Sequence, residues 1–200
     1  MIILTTLAQN VENDANYSVR EKQYMYSLAR IFSYNLPVYG VVSETHNTNN
    51  FKPTQYFPFT KLVQIPYTDK SFNKSQKEFS CIKSLLQTID LDENTWIVKV
   101  SGRYNIYNDI FINTVKNAST NTKAIIRTCD NDSQMYTFLF ALRYKYFKDF
   151  FLNFDLPNNI NLERVMLLYI QSVIDKKDIL ILSNLGVICD IADCNNFTYF

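Results

Sequence analysis

The chain has 200 residues, 47% of them hydrophobic, enough for one buried core. Lys and Arg total 20 against 19 Asp and Glu, a formal net charge of +1. Nucleic-acid binders and electrostatic membrane binders carry a basic excess or stripe, and this composition excludes one while leaving room for a local pocket of two or three cations.

Residues 2–7 (Ile-Ile-Leu-Thr-Thr-Leu) read as a buried first strand, followed by a polar, Asn-rich loop over 8–17. Residues 18–34 read as a helix with Tyr24, Met25, Leu28, Ile31 and Phe32 on one face, ended by Asn35 and Pro37. A second strand at 38–42, a long polar loop at 44–58 and a short third strand at 61–65 follow. Ser75 with Glu78 predicts a capping box, opening a helix whose apolar face carries Phe79, Ile82, Leu85, Leu86 and Ile89. After an acidic turn at 90–94, residues 96–100 form an almost wholly apolar fourth strand, the pattern of a strand covered on both faces. The second half predicts a short helix at 108–115, strands at 123–127 and 135–144, and helices at 146–154 and 162–174. Apolar runs at 179–182 and 187–191 predict one late strand around Gly186.

Strand and helix alternate up to about residue 100, and irregular β/α structure follows. The fold expected is α/β: an open mixed sheet, largely parallel in its N-terminal half, with helices on both faces. No linker divides the chain, so residues 1–200 are expected to be a single domain, whole or part of a longer protein. In such sheets ligands sit beyond the carboxyl ends of the strands. The positions there are Thr5-Thr6, Ser43-Glu44, Pro66-Tyr67 and Ser101 to Tyr104.

Several chemistries are excluded or disfavoured. Only three glycines occur, Gly40, Gly102 and Gly186, so neither the P-loop nor the Rossmann fingerprint is present. The four cysteines (Cys81, Cys129, Cys189, Cys194) are scattered without C-x-x-C, which predicts reduced thiols and a cytoplasmic setting. No apolar run suits a signal peptide or a membrane span. His46, the sole histidine, sits in a polar loop, a poor place for the buried base of a hydrolase triad. Zinc ligands at usual spacing are lacking.

What remains is a set of cations and three carboxylates. Gly102 directly follows a buried strand and permits a tight turn with close approach of a ligand. Arg103 then offers a planar fork of donors for phosphate oxygens. Lys99 lies on the same side of the strand as Ser101. A surface turn with Arg103 pairing to a carboxylate is the alternative. Asn73-Lys74-Ser75 opens a helix, where free N–H groups attract anions; plain capping is the alternative. Arg20, in the first helix, lies near the same rim or on a solvated face. Asp130-Asn131-Asp132 has a D-x-D spacing that can hold a divalent cation, a short match common by chance. Glu163 opens the strongest late helix, either as a dipole stabiliser or as a general base held above the rim.

The segment Trp96-Ile-Val-Lys-Val-Ser-Gly-Arg-Tyr104 resembles the (I/V)-K-(L/V)-(S/T)-G-R-Y stretch of GT-A-type glycosyltransferase-like domains, found in bacterial polysaccharide clusters and large DNA viruses, chlorella viruses included. Arg20-Glu21-Lys22-Gln23-Tyr24 resembles the family's R-x-x-Q-Y helix. Asn73-Lys74-Ser75-x-x-Glu78 resembles its N-x-G-x-x-E helix start, with Ser for Gly. Phe138 to Phe147, Leu162-Glu163 and Leu185-Gly186-Val187 match later segments in order, so the resemblance covers about residues 1–193. It implies transfer of a sugar from a nucleotide-sugar donor to a glycan or other hydroxyl acceptor, with no nucleic-acid partner. The alternative is a non-catalytic domain of the same fold that binds a nucleotide or sugar, or acts as a partner module. The donor would meet Thr5, Thr6, Arg20, Asn73, Lys74, Lys99, Ser101, Gly102, Arg103 and Tyr104, with Arg103 and Glu163 in catalysis. One departure stands out. The family's D-x-D normally ends the fourth strand, and here that place reads Ser101-Gly102-Arg103. No metal ligand is therefore assigned, manganese or magnesium is left open as a cofactor, and Arg103 with Lys99 is expected to neutralise the leaving diphosphate.

Overall fold

Continuous β-branched and apolar runs place the first four strands side by side and in parallel. The computed structural model describes residues 1–9, 17–44, 51–66, 73–129, 132–156, 160–191 and 196–199. In chain order the elements are β1 (Ile2–Gln9), α1 (Tyr17–Phe32), β2 (Val38–Glu44), α2 (Lys52–Tyr56), β3 (Lys61–Pro66), α3 (Lys74–Leu86), β4 (Trp96–Ser101) and β5 (Asn105–Ile106). They continue with α4 (Ile110–Lys116), β6 (Ala124–Ile126), β7 (Leu139–Arg143), α5 (Tyr144–Asn153), α6 (Leu162–Val173), a 3-10 turn (Lys176–Asp178), β8 (Ile179–Ile181), β9 (Val187–Ile191) and β10 (Asn196–Tyr199).

A seven-stranded sheet runs β3-β2-β1-β4-β7-β6-β8. Strands β3, β2, β1 and β4 are parallel neighbours. Strand β7 is antiparallel to both β4 and β6, and β8 is parallel to β6. A small antiparallel sheet, β10-β9-β5, stands apart. The mixed sheet expected from the sequence is borne out. From β1 the chain moves outward to β2 and β3, then returns to place β4 on the other side of β1. That reversal is a topological switch point, where open α/β sheets hold ligands at the carboxyl ends of their strands.

Side chains alternate across each strand, so the sheet has two buried faces. Ile2, Leu4 and Ile97 face a cluster with Phe79, Ile82, Leu85 and Leu86 of α3 and the aromatic face of α5. Ile3, Leu7, Val98 and Val100 face Tyr24, Leu28 and Ile31 of α1 and Phe111, Ile112 and Val115 of α4.

Four local expectations are corrected. The capping box of α3 is formed by Asn73 and Gln76, not Ser75 and Glu78. Asn73 accepts from the Gln76 N–H at 2.9 Å, and the Gln76 side chain accepts from the Asn73 N–H at 3.0 Å. The helix starts two residues earlier than expected, which leaves Glu78 too far into it to reach the cap. The polar loop at 44–58 contains α2, started by a buried Pro53, a residue preorganised for a first turn. The late strand is two strands in different sheets, because Gly186 turns the chain with φ 67°. A Cβ there would lie 2.0 Å from Asn108 Oδ1, so only glycine fits. The aromatic stretch from Met135 becomes a strand only at Leu139 and turns helical at Tyr144, whose N–H donates to the Thr95 carbonyl at 2.8 Å.

Removing the Asn73 side chain leaves the Gln76 N–H without its Oδ1 acceptor. Asn73→Ala should lower the stability read by urea denaturation by about 1 kcal/mol.

Candidate functional site

The carboxyl ends of β1 and β4 meet where Thr6 pairs in register with Ser101. The Gly102 N–H donates to the Thr6 carbonyl at 2.9 Å, fastening the turn after β4 onto the end of β1. A Cβ on Gly102 would sit 2.4 Å from Leu7 Cδ2 and 3.1 Å from the Thr6 carbonyl oxygen, so close backbone approach requires glycine here.

Beneath this turn, Lys99 is 1% exposed in a strand apolar on both faces. A buried ammonium needs an anion and acceptors for each of its hydrogens. Glu78, from the second turn of α3, supplies the carboxylate in an ion pair. Lys99 Nζ also donates to Ser101 Oγ at 2.8 Å and to the Thr137 carbonyl at 2.7 Å. Glu78 Oε1 accepts in turn from Thr6 Oγ1 at 3.0 Å. Burial pushes the Glu78 carboxyl up, but the Lys99 ammonium beside it, the bonds from Lys99 and Thr6 and the charge of Lys74 hold it below the usual carboxylate range.

The expected role of Lys99 at the diphosphate is corrected by this geometry. Its ammonium is fully engaged inside the protein. Thr5 is also placed differently. It is fully buried on the α1 face of the sheet, opposite Thr6, with Oγ1 packed under Gly102 and no hydrogen-bond partner among the described residues. Asn73 spends its side chain on the α3 cap.

The cations of the rim are Lys74, Arg103 and Arg20. Lys74 is exposed at the first residue of α3. Protein around its ammonium and the positive charge of Arg103 lower its pKa, while Glu78 and Glu163 act in the opposite sense. Lys74, Arg103, Glu78 and Glu163 therefore share one electrostatic neighbourhood. The Arg103 guanidinium lies 5.3 Å over the Tyr104 ring, which stacks on Phe138 at 4.9 Å. Ser27 of α1 holds this turn by donating to the Tyr104 carbonyl at 2.7 Å. Tyr24 is buried, which raises its pKa, and its hydroxyl exchanges hydrogen bonds with the Ala8 backbone while Arg103 and Arg20 act on it from nearby.

Glu163 is the second residue of α6. Its N–H donates to Asn161 Oδ1 at 2.8 Å, and its Oε1 accepts from Thr137 Oγ1 at 3.0 Å. Thr137 is buried, and its carbonyl is the one that receives Lys99. The polar groups thus run without a break from Thr6 through Glu78, Lys99 and Thr137 to Glu163. The sequence singled out neither Glu78 nor Thr137 as part of the site.

Other candidates fall elsewhere. Asp130, Asn131, His46 and Tyr67 lie outside the described residues. Asp132 accepts from the Thr128 hydroxyl. Among the described residues no cluster of three or more His, Cys, Asp or Glu could hold a metal ion. Cys81 and Cys129 are free thiols, and burial pushes Cys81 up to about 12. No helix among the described residues is long and apolar enough to cross a membrane.

The mixed sheet with its switch point between β1 and β4 is shared with solved structures of other proteins. The chain is similar to a protein from Desulfovibrio desulfuricans assigned as a nucleotide-diphospho-sugar transferase (TM-score 0.55, 9% identity, 90% of this chain and 78% of that one). It is also similar to 4-diphosphocytidyl-2C-methyl-D-erythritol synthase from Anaerococcus prevotii (TM-score 0.52, 10% identity, 90% and 86% covered). A further 4-diphosphocytidyl-2C-methyl-D-erythritol synthase matches with TM-score 0.52 and 13% identity, over 92% of this chain and 89% of that one. No protein-family model and no curated protein sequence matches the chain. At these identities the shared property is the fold.

Proposed function

We propose that this chain transfers a sugar from a nucleotide-sugar donor to a hydroxyl of a glycan or glycoconjugate. What supports this is the arrangement at the switch point: the turn bearing Arg103 is fastened to the end of β1, and Glu163 is tied through Thr137 to Lys99 of β4, with Lys74 at the start of α3 in charge interaction with both. The leaving diphosphate would lie at the N-terminus of α3, against Lys74 and Arg103, with Arg20, Thr6, Ser101, Gly102 and Tyr104 lining the donor side. Glu163 would take the proton of the acceptor hydroxyl as its oxygen bonds the anomeric carbon. The anomeric bond to phosphate breaks in the same step, and the nucleoside diphosphate departs with the electron pair.

The described residues at the end of β4 do not fit a divalent ion. Ser101, Gly102 and Arg103 supply no carboxylate, and Glu78 is held by Lys99 and Thr6. The charge of the leaving group is therefore assigned to Lys74 and Arg103.

Two structural neighbours carry a diphosphocytidyl group in their names, which motivates a second reading, nucleotidyl transfer from a triphosphate at the same rim. A non-catalytic nucleotide-binding domain is the third. Thermal shift with UDP-, GDP- and dTDP-sugars and with CTP, with and without manganese, followed by product analysis, separates them. Stabilisation by a nucleotide sugar with release of nucleoside diphosphate is expected. Pyrophosphate release from CTP would favour nucleotidyl transfer, and stabilisation without turnover would favour a binding module. No shift with any of them contradicts all three.

A further inference from the structure

We infer that the ion pair between Glu78 and the buried Lys99, continued through Thr137 to Glu163, is a positioning unit that sets the distance between the candidate base and the Lys74–Arg103 cations. The inference rests on the transferase reading above and names residues to which that reading gives no chemical role.

Three elements meet on this unit. Lys74 and Glu78 lie four residues apart on α3, so they share one helix face and one rigid frame. Glu78 clamps the end of β1 through Thr6 and the end of β4 through Lys99. Lys99 then grips the Thr137 carbonyl at 2.7 Å, and the Thr137 hydroxyl, on the same residue, grips Glu163 at 3.0 Å. Thr137 stands just before β7, between Tyr136, whose N–H donates to the Arg127 carbonyl at 2.9 Å, and Phe138, whose carbonyl accepts from the Ser101 N–H at 2.8 Å. Its own carbonyl is held by Lys99. The Lys74 side and the Glu163 side of the site are thus linked through the Lys99 ammonium.

A buried ion pair is weak evidence for stability, since well-packed apolar residues of similar volume often do as well or better. Its satisfied geometry here serves the site. Stability and turnover should then come apart on replacement. Glu78→Leu with Lys99→Met in one chain should keep a melting temperature at or above the parent's, while kcat falls about 100-fold, the scale of a 1 Å misplacement. Thr137→Val should lower kcat about tenfold, the scale of one net hydrogen bond lost from the transition state, with KM for the nucleotide sugar unchanged, and Thr137→Ser should restore it.

The experiment measures melting temperature, kcat and KM for these three variants with whichever of the UDP-, GDP- or dTDP-sugars the parent turns over. A double variant with the parent's kcat, or Thr137→Ser as slow as Thr137→Val, overturns the inference and leaves the transferase reading standing. If the double variant does not fold, the Thr137 pair decides alone. A parent with no turnover toward any donor overturns the transferase reading and this inference with it.

Discussion

Glu78→Ala is expected to destabilise the protein by about 3 kcal/mol, the low end of the range for removing one partner of a buried pair, because Lys99 is buried while the Glu78 side chain keeps 18% exposure. Lys99 is 1% exposed, and without Glu78 its ammonium would keep only the Ser101 hydroxyl and the Thr137 carbonyl. Neither carries a charge. Urea denaturation at neutral pH reads the loss directly. The pH dependence gives a second check. The folded pKa of Glu78 lies below its unfolded value. Its contribution is therefore fully present above the ordinary glutamate pKa of about 4.3 and is lost as pH falls through the lower folded value. The stability gap between the parent and Glu78→Gln should be constant from about pH 8 to 5 and should shrink below about pH 4. A gap that widens on acidification would mean that the carboxyl is protonated in the folded protein.

Arg103→Ala is expected to lower turnover about 100- to 1,000-fold, the range seen when one preorganised donor to a developing anion is removed. Its contacts include a cation–π approach of 5.3 Å to Tyr104 and a 3.4 Å approach to that hydroxyl. The melting temperature of the variant, read beside its turnover, separates lost chemistry from lost folding. Arg103→Lys should recover only part of the rate, because an ammonium cannot present the planar fork to two phosphate oxygens. Full turnover by Arg103→Ala would remove Arg103 from the diphosphate.

The sheet was legible because its strands are continuous apolar runs bounded by turn residues, and strand four, covered on both faces, could hardly read otherwise. Strand β5 was invisible, since two residues carry no periodicity. The split of the late strand was hidden because only the collision with Asn108 shows why Gly186 must turn there. At the site, Arg103, Lys74 and Glu163 stand out in the sequence by their places at element ends, and Lys74 is in charge interaction with the other two. Lys99 sits deeper than its strand position shows: alternation places it on the side of Ser101, but depth cannot be read from alternation. A lysine in an otherwise apolar, doubly covered strand does signal a buried anion. The Ser75–Glu78 spacing points away from that partner, toward a cap that Asn73 and Gln76 close. Thr137 could not be found from sequence, because its role depends on backbone and side chain facing different partners.

Crystals soaked separately with UDP, GDP and dTDP test the central claim most directly. The account predicts diphosphate density at the N-terminus of α3, beside Lys74 and Arg103, with Glu163 facing the site from the opposite side. A nucleotide bound elsewhere on the protein, with Lys74 and Arg103 untouched, would contradict it.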